Sequence, residues 1–330
     1  MVLRMGQRWE RFQVATEFVP VAAVFAFQTL AITTLTLVWE RNFNGVSGWW
    51  LLPLSLLLLL GAAAAWWWKE KVRRTGTLVA VVAQRGGVAW ETDPTLRSAR
   101  RYFDSGRFLH YYPLVVEGEL PSSAGDVVDW SEKCRAGRAM LHVVVDPTHG
   151  APVDSSRLAV AVVAPLPYAF RLGVEWQQLV RRTSPAFELV HVRDVASPFV
   201  VWRSSPRPAQ PIVPQTGSDL VVVLILQKTD FKREPFEVQF GDSSPVYLGR
   251  ENFVLGPAHT PMVATCLEEL HQLVLSTSGR VHLILATISE VAFAAGYVLA
   301  EESERIQLWA LFEGSGYVRV DFGREGRGAS

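Results

Sequence analysis

The side chains that could do chemistry lie in short polar stretches that follow long apolar runs of the sequence. The stretch QKTD, with Lys228 and Thr229, follows one such run, and ATISE, with Thr287, Ser289 and Glu290, follows another. Ammonium, hydroxyl and carboxylate groups of this kind can hydrogen-bond a polar small molecule or a phosphate group. They indicate a binding site at the ends of these runs.

No motif for catalysis or for metal binding accompanies these stretches. The seven histidines include no HExxH pair, EGSGY is not a GxSxG nucleophile elbow, and no Gly-Lys pair exists for a Walker loop. The Gly-rich dinucleotide fingerprint is also missing after every candidate strand. Cys134 and Cys266 are far apart without CxxC spacing, so we expect buried free thiols. We expect neither an enzyme nor a bound metal or cofactor.

A duplicated phrase shows which elements must position the polar stretches. RLAVAVVAPLPYAFRLG starts at Arg157 and RVHLILATISEVAFAAG starts at Arg280, and without a gap Gly173 aligns with Gly296. Each copy has an Arg, an apolar run, a short break and an apolar segment of helical spacing. An unbroken apolar run is typical of a strand that is buried on both faces. Each copy is therefore predicted to be a strand, a turn and a helix, with the glycine letting the helix approach its sheet closely.

Strands alternate with helices along the rest of the chain from residue 75, which predicts an α/β protein with a mainly parallel, Rossmann-like sheet in each of two units. The first unit is predicted within 75–200 and the second at 219–330, with a Pro-rich connector at 197–218. Open α/β sheets bind ligands at the carboxyl ends of their strands, so we expect the ligand in the crevice between the units. Two segments, TLVAVVAQ and MLHVVVD, are alternatives for the strand that begins the first unit.

Residues 1–74 are predicted to form a transmembrane hairpin. Residues 18–39 give 22 positions without a charge and residues 49–68 give 20 more, each enough to cross the roughly 30 Å hydrocarbon layer as a helix. Arginines precede the first span and KEKVRR follows the second, which predicts that both termini face the cytoplasm. The net charge of zero argues against a partner such as a DNA or RNA duplex.

A stripe of small and hydroxylated side chains runs along the first predicted span, with a glutamine beside it. Two alternatives remain for this stripe. It is a packing seam against the second helix, in which Gly61 and Ala65 form a small-xxx-small pair, or it meets other subunits or lines a water path. The stripe consists of Ala22, Ala26, Thr29, Thr33 and Thr36, with Gln28.

The C-terminal part of the chain resembles a known family. Residues 281–322, VHLILATISEVAFAAGYVLAEESERIQLWALFEGSGYVRVDF, resemble the C-terminal signature of the SAVED domain: an apolar strand, a break, an Ala-Phe-x-x-Gly helix, a strand and a Tyr-led final strand. SAVED domains are fusions of two CARF-like, Rossmann-like halves. The likeness covers about 120–330 and lies more in the order of elements than in any motif. With two predicted spans, the chain looks like the membrane-anchored SAVED effectors of bacterial CBASS anti-phage systems.

This resemblance implies a function. A cyclic oligonucleotide, made by a cognate cyclase after infection and expected to have three nucleotides, would bind between the two halves. Binding would drive homo-oligomerisation, and the clustered hairpins would disrupt the bacterial inner membrane, the expected location of a multi-pass protein, and cause abortive infection. Two alternatives are a membrane-tethered, nucleotide-dependent enzyme with a Rossmann-like cleft and a passive nucleotide-sensing scaffold that recruits another protein.

The resemblance also suggests roles for individual side chains. Lys228 would contact a phosphate, or it is a solvated lysine at a strand end. Thr287 and Glu290 fit either a helix-capping box or ligand contacts. Tyr168 would stack on a base or pack in the core. Trp202 and Arg203 would also contact a base of the ligand, or they anchor a linker. The remaining expected ligand contacts are Pro165, Thr229 and Ser289.

Overall fold

A computed structural model describes most of the chain in fifteen ranges. The chain divides into two compact units, residues 1–74 and residues 75–330. The described residues are 25–45, 51–72, 76–83, 94–106, 108, 110–116, 127–145, 157–180, 186–193, 197–204, 217–226, 231–241, 243–252, 254–312 and 316–322.

The described part of the first unit contains two helices, α1 at 25–43 and α2 at Leu52–Val72. Ala31 and Val38 are buried on α1, and the ring of Phe27 lies over Gly61 of α2. By contrast, every described residue of the predicted stripe is exposed, and the hydroxyl of Thr29 donates to a carbonyl of its own helix. The buried positions of α1 therefore lie outside the stripe, and the role of the stripe stays a prediction. Ala22 lies outside the described residues.

The predicted location in the inner membrane is also wrong. Within the described ranges, neither helix has the length and apolarity that a membrane crossing requires. From the start of α2 to the residue before Lys69 the helix has 17 residues, about 26 Å at 1.5 Å per residue, which is shorter than the roughly 30 Å hydrocarbon layer. The described part of α1 contains Gln28 and four threonines and continues into Glu40 and Arg41.

The second unit contains eleven described strands and six described α-helices. The helices are α3 (Pro94–Gly106), α4 (Ser131–Val145), α5 (Leu166–Val180), α6 (Arg233–Phe240), α7 (Thr260–Ser276) and α8 (Ser289–Val298). The strands are β1 (Thr77–Ala83), β2 (His110–Val116), β3 (Val127–Asp129), β4 (Leu158–Val163), β5 (Phe187–His191), β6 (Phe199–Arg203), β7 (Leu220–Leu226), β8 (Val246–Arg250), β9 (Val281–Ala286), β10 (Ile306–Phe312) and β11 (Gly316–Asp321).

The two sheets of this unit repeat one topology. The first sheet has the order β2-β1-β4-β5-β6, and the second has β8-β7-β9-β10-β11, with β3 added at its far edge. In both sheets only the last of these five strands is antiparallel to its neighbour. The unit is therefore a mixed α/β fold of two halves with internal pseudosymmetry.

This topology decides which strand begins the first half. The strand β1, which carries TLVAVVA, takes the place that β7 has in the second half. The alternative segment MLHVVVD lies mostly within α4, which ends at Val145. A six-residue apolar run fits a strand or a buried helical segment equally well, and here the run continues the helix that starts at Ser131.

The main core lies between the sheets and is centred on the two duplicated helices. One cluster joins residues of β1 and β4 in the first sheet and of β7 and β9 in the second with α5 and α8. Outside this core, α3 covers the outer face of the first sheet and α6 covers the outer face of the second. Cys134 and Cys266 are both buried and free, as predicted. Burial raises the pKa of the Cys266 thiol.

The duplicated glycines let α5 and α8 approach each other, and not their own sheets as the sequence suggested. Gly173 faces the carbonyl group of Phe293, and Gly296 faces the carbonyl group of Phe170. A Cβ atom at either position would overlap backbone atoms of the other helix. Because each glycine contacts the other copy of the phrase, the close approach is reciprocal.

Arg305 closes the end of α7 on the side of the sheet where β9 and β10 begin. Its guanidinium donates to the carbonyl oxygens of Thr277 (2.7 Å), Gly279 (3.1 Å) and Val274 (3.2 Å), and it pairs with Glu302 (2.6 Å). We expect Arg305→Met to lower the free energy of unfolding by about 2–3 kcal/mol, because carbonyls at the helix end lose a charged donor. Chemical denaturation measures the change.

The control for this variant is Arg233→Met. Arg233 pairs with Glu251 at an exposed position, and such surface pairs contribute little to stability. Equal losses for the two variants would contradict the role assigned to Arg305.

Candidate functional site

In each sheet, the chain adds one strand on one side of the first strand and then continues on its other side. In the first sheet β2 and β4 lie on opposite sides of β1, and in the second β8 and β9 lie on opposite sides of β7. Such a switch point opens a crevice at the carboxyl ends of the two central strands. The strand order therefore predicts two equivalent crevices, one at β1 and β4 and one at β7 and β9.

Hydrogen bonds join one edge of each crevice to the other half. The hydroxyl of Ser289, at the start of α8, donates to the carbonyl oxygen of Ala164 (2.7 Å) and accepts from the Ala164 N–H (3.2 Å). Ala164 follows β4 directly, and α8 follows β9 after two residues. We call residues 164–166 and 286–289 the paired strand ends, and they are the candidate site.

A buried ionisable pair lies beside the paired strand ends. Nδ1 of His191, the last residue of β5, lies 3.0 Å from Oε1 of Glu290 in the first turn of α8. The Glu290 side chain is 2% exposed and the His191 side chain 15%. This pair also joins the first half to the second.

The capping-box interpretation of the TISE stretch is wrong. The residue before α8 is Ile288, and no side chain caps the helix. The Thr287 hydroxyl is buried and has no hydrogen-bond partner within the described part of the chain, while Glu290 turns to His191. A buried polar atom without a partner is unusual in a native protein, so the ligand alternative stays a prediction for Thr287.

Two aromatic residues predicted as ligand contacts lie in the core. Tyr168 is 1% exposed and packs beside Trp130, and this burial raises its pKa well above the ordinary value. Trp202 is also buried and makes an edge contact with Tyr297. Both rings therefore have a packing role, and we leave them out of the candidate site.

The other predicted contacts divide into three groups. Arg203 is largely exposed and pairs with Glu188 on the neighbouring strand, away from the paired strand ends. Pro165 lies within the paired strand ends, and its carbonyl accepts the N–H of Ala169 in the first turn of α5. Lys228 and Thr229 lie outside the described residues.

Sequence reasoning missed His191. The residue that it contacts is 99 positions away, and no spacing within either half signals the pair. The described residues contain no group of three or more His, Cys, Asp or Glu side chains that could hold a metal ion.

Among known proteins, the chain is similar to receptors whose structures have been solved. No protein-family model and no curated protein matches the sequence. The Acinetobacter baumannii Cap4 SAVED/CARF-domain containing receptor, solved with the cyclic trinucleotide 2′3′3′-cAAA, aligns at 12% identity with a TM-score of 0.42 over 80% of this chain and 55% of that chain. The Moraxella osloensis Cap4 receptor aligns at 11% identity with a TM-score of 0.40 over 92% of this chain and 76% of that chain.

This chain therefore spans about half the length of the Acinetobacter receptor. Identities of 11–12% and TM-scores of 0.40–0.42 are too low to show a shared function.

Proposed function

We propose that residues 75–330 form a SAVED-type receptor for a cyclic oligonucleotide that binds across the paired strand ends. The observation that carries this proposal is the repeated topology, in which two switch-point crevices are joined by the bonds between Ser289 and Ala164. A ring of nucleotides presents several phosphates and bases and needs donors from more than one strand end. The resemblance of residues 281–322 to the SAVED signature supports this class of ligand.

The two strand ends differ in chemistry, which favours an odd-numbered ring. In the aligned repeats Thr287 corresponds to Ala164 and Ser289 corresponds to Leu166, so only the second half carries hydroxyl groups at these positions. Of the two, the Ser289 hydroxyl is bonded to Ala164. The first turn of α5 has no acidic residue, whereas the first turn of α8 carries Glu290. A phosphate is therefore better accommodated at α5 than at α8. A ring of three nucleotides has no twofold axis and suits such an unequal site.

The receptor would bind its ligand without cleaving it. The sequence contains no nucleophile or metal motif that would support hydrolysis. Ligand occupancy would act as the signal, as expected for an effector of CBASS anti-phage defence that acts through abortive infection.

Self-association of ligand-bound copies is the response that we propose. Phe25, Ile32 and Trp39 of α1 and Leu57 and Leu60 of α2 each keep more than half of their surface exposed. Apolar surface of this extent on a two-helix unit is typical of an interaction site. Copies that the ligand brings together would cover these faces with one another, because many weak contacts add up at high local concentration.

A binding panel with the full-length protein tests the proposal. The panel contains cyclic di-, tri- and tetranucleotides, including 2′3′3′-cAAA and 3′3′3′-cAAA, with the linear trinucleotide as a control. We expect a cyclic trinucleotide to bind and to shift the protein to larger species in sedimentation velocity, and we expect the nucleotide to be recovered intact. Binding by no member of the panel would contradict the proposal. Cleavage would favour the enzyme alternative, and binding without assembly would favour the scaffold alternative.

A further inference from the structure

The pair of Glu290 and His191 is the strongest unexplained feature beside the candidate site. The Glu290 carboxylate is almost completely buried, and Glu290 and His191 belong to different halves of the unit. The ring of His191 is itself held by Phe199, with an edge contact between ring centroids 5.5 Å apart. The imidazole is therefore fixed from two sides.

We propose that Glu290 and His191 are a positioning pair, which fixes the first turn of α8 against the carboxyl edge of the first sheet and so sets the spacing of the paired strand ends. Neither residue needs to touch the ligand. The consequence for affinity rests on the proposed function, whereas the consequence for local order does not.

The arrangement of bonds supports this role. Two consecutive residues of α8, Ser289 and Glu290, are tied to two neighbouring strands of the other half, at Ala164 after β4 and at His191 in β5. Because β4 and β5 are parallel, both attachment points lie at the same edge of the first sheet. Two attachments fix both the distance and the rotation of the helix start, whereas one would leave it free to pivot.

The energetics also favour a role in geometry. A buried carboxylate is costly to desolvate, and a buried pair often adds little net stability compared with apolar residues. The start of a helix offsets part of this cost, because its N–H groups favour negative charge. A pair of this kind holds one arrangement strongly, since a shift of either partner would leave the buried Glu290 side chain without this hydrogen bond.

Hydrogen exchange of the ligand-free, full-length protein tests the positioning role directly. Glu290→Val removes the bond, while Glu290→Gln keeps an acceptor for His191 and serves as the rescue variant. We expect amides in the first turn of α8 to exchange at least tenfold faster in Glu290→Val and within about twofold of the wild type in Glu290→Gln. Gly217→Ala, at the opposite edge of the second sheet, should leave these amides unchanged.

Affinity for 2′3′3′-cAAA is measured on the same proteins. We expect Glu290→Val to bind at least tenfold more weakly, Glu290→Gln within about threefold of the wild type, and Gly217→Ala like the wild type. If Glu290→Val does not fold, His191→Phe replaces it, because it removes the donor and keeps an aromatic ring against Phe199.

Each outcome bears on one of the two claims. Unchanged exchange in Glu290→Val, or equal losses of order and affinity in Glu290→Gln, would overturn the positioning role. Absence of nucleotide binding by the wild type across the panel would instead count against the proposed function, and the exchange result would still decide the role of the pair.

Discussion

Gly173→Ala and Gly296→Ala are each expected to lower the free energy of unfolding by about 4 kcal/mol or more, enough to unfold a domain of marginal stability. The added methyl group of either variant would overlap a backbone carbonyl of the opposite helix, at Phe293 or at Phe170. Backbone atoms cannot move aside as a flexible side chain does, so α5 and α8 would have to separate and open the main core. Urea denaturation followed by circular dichroism measures the loss.

Gly217→Ala is the matched control. A Cβ atom there would meet only the hydroxyl of Ser278, at an ordinary distance of 3.7 Å. Its free energy of unfolding should stay within about 0.5 kcal/mol of the wild type. Wild-type stability in either Gly173→Ala or Gly296→Ala would show that the two helices do not cross as closely as the structure has them.

Arg171→Met is expected to cost about 3–5 kcal/mol of stability, since it removes the nearer partner of a buried carboxylate. Glu175 is 2% exposed in α5 and pairs with Arg171 one turn earlier at 2.5 Å and with Arg138 of α4 at 3.3 Å. Methionine keeps the apolar stem of the side chain, so the loss reports on the charge. Thermal and urea unfolding measure the change.

A second substitution distinguishes the charge effect from a packing effect. Adding Glu175→Gln to Arg171→Met should recover most of the loss, because the buried carboxylate that lost its nearer partner is then removed. Arg203→Met, which breaks the exposed pair with Glu188, should cost less than about 1 kcal/mol. A single Arg171→Met variant that costs no more than Arg203→Met would contradict the assignment.

The secondary structure of the duplicated segment could be predicted because each copy contains the apolar run of a strand followed by the spacing of a helix. The apolar runs are the strands β4 and β9, and the segments that follow them are α5 and α8. A run that is apolar at every position needs burial on both faces of its strand. The main core covers one face of each sheet, and the clusters under α3 and α6 cover the other face. Local sequence was sufficient here.

Contacts between the two copies could not be predicted from either copy alone. Gly173 and Gly296 were expected to face their own sheets, because a glycine in a helix signals close approach without naming the partner. The link from Ser289 to Ala164 spans 125 residues. Such contacts follow from how the two halves pack, and a single sequence contains no spacing that reports it.

The prediction of membrane spans failed for a different reason. Counting uncharged residues does not locate where a helix begins, and the helix α2 begins at Leu52. The length that matters is that of the apolar part within one helix, and this is 17 residues in α2. Helix boundaries are the part of a structure that sequence patterns define least well.

The binding stoichiometry of a cyclic trinucleotide tests the central claim most directly. If one site is built from both halves of one chain, isothermal titration of the full-length protein should give one nucleotide per chain, and the ligand should protect the amides of both 164–168 and 287–291 from exchange. Two nucleotides per chain, or protection confined to one half, would contradict a site shared across the paired strand ends.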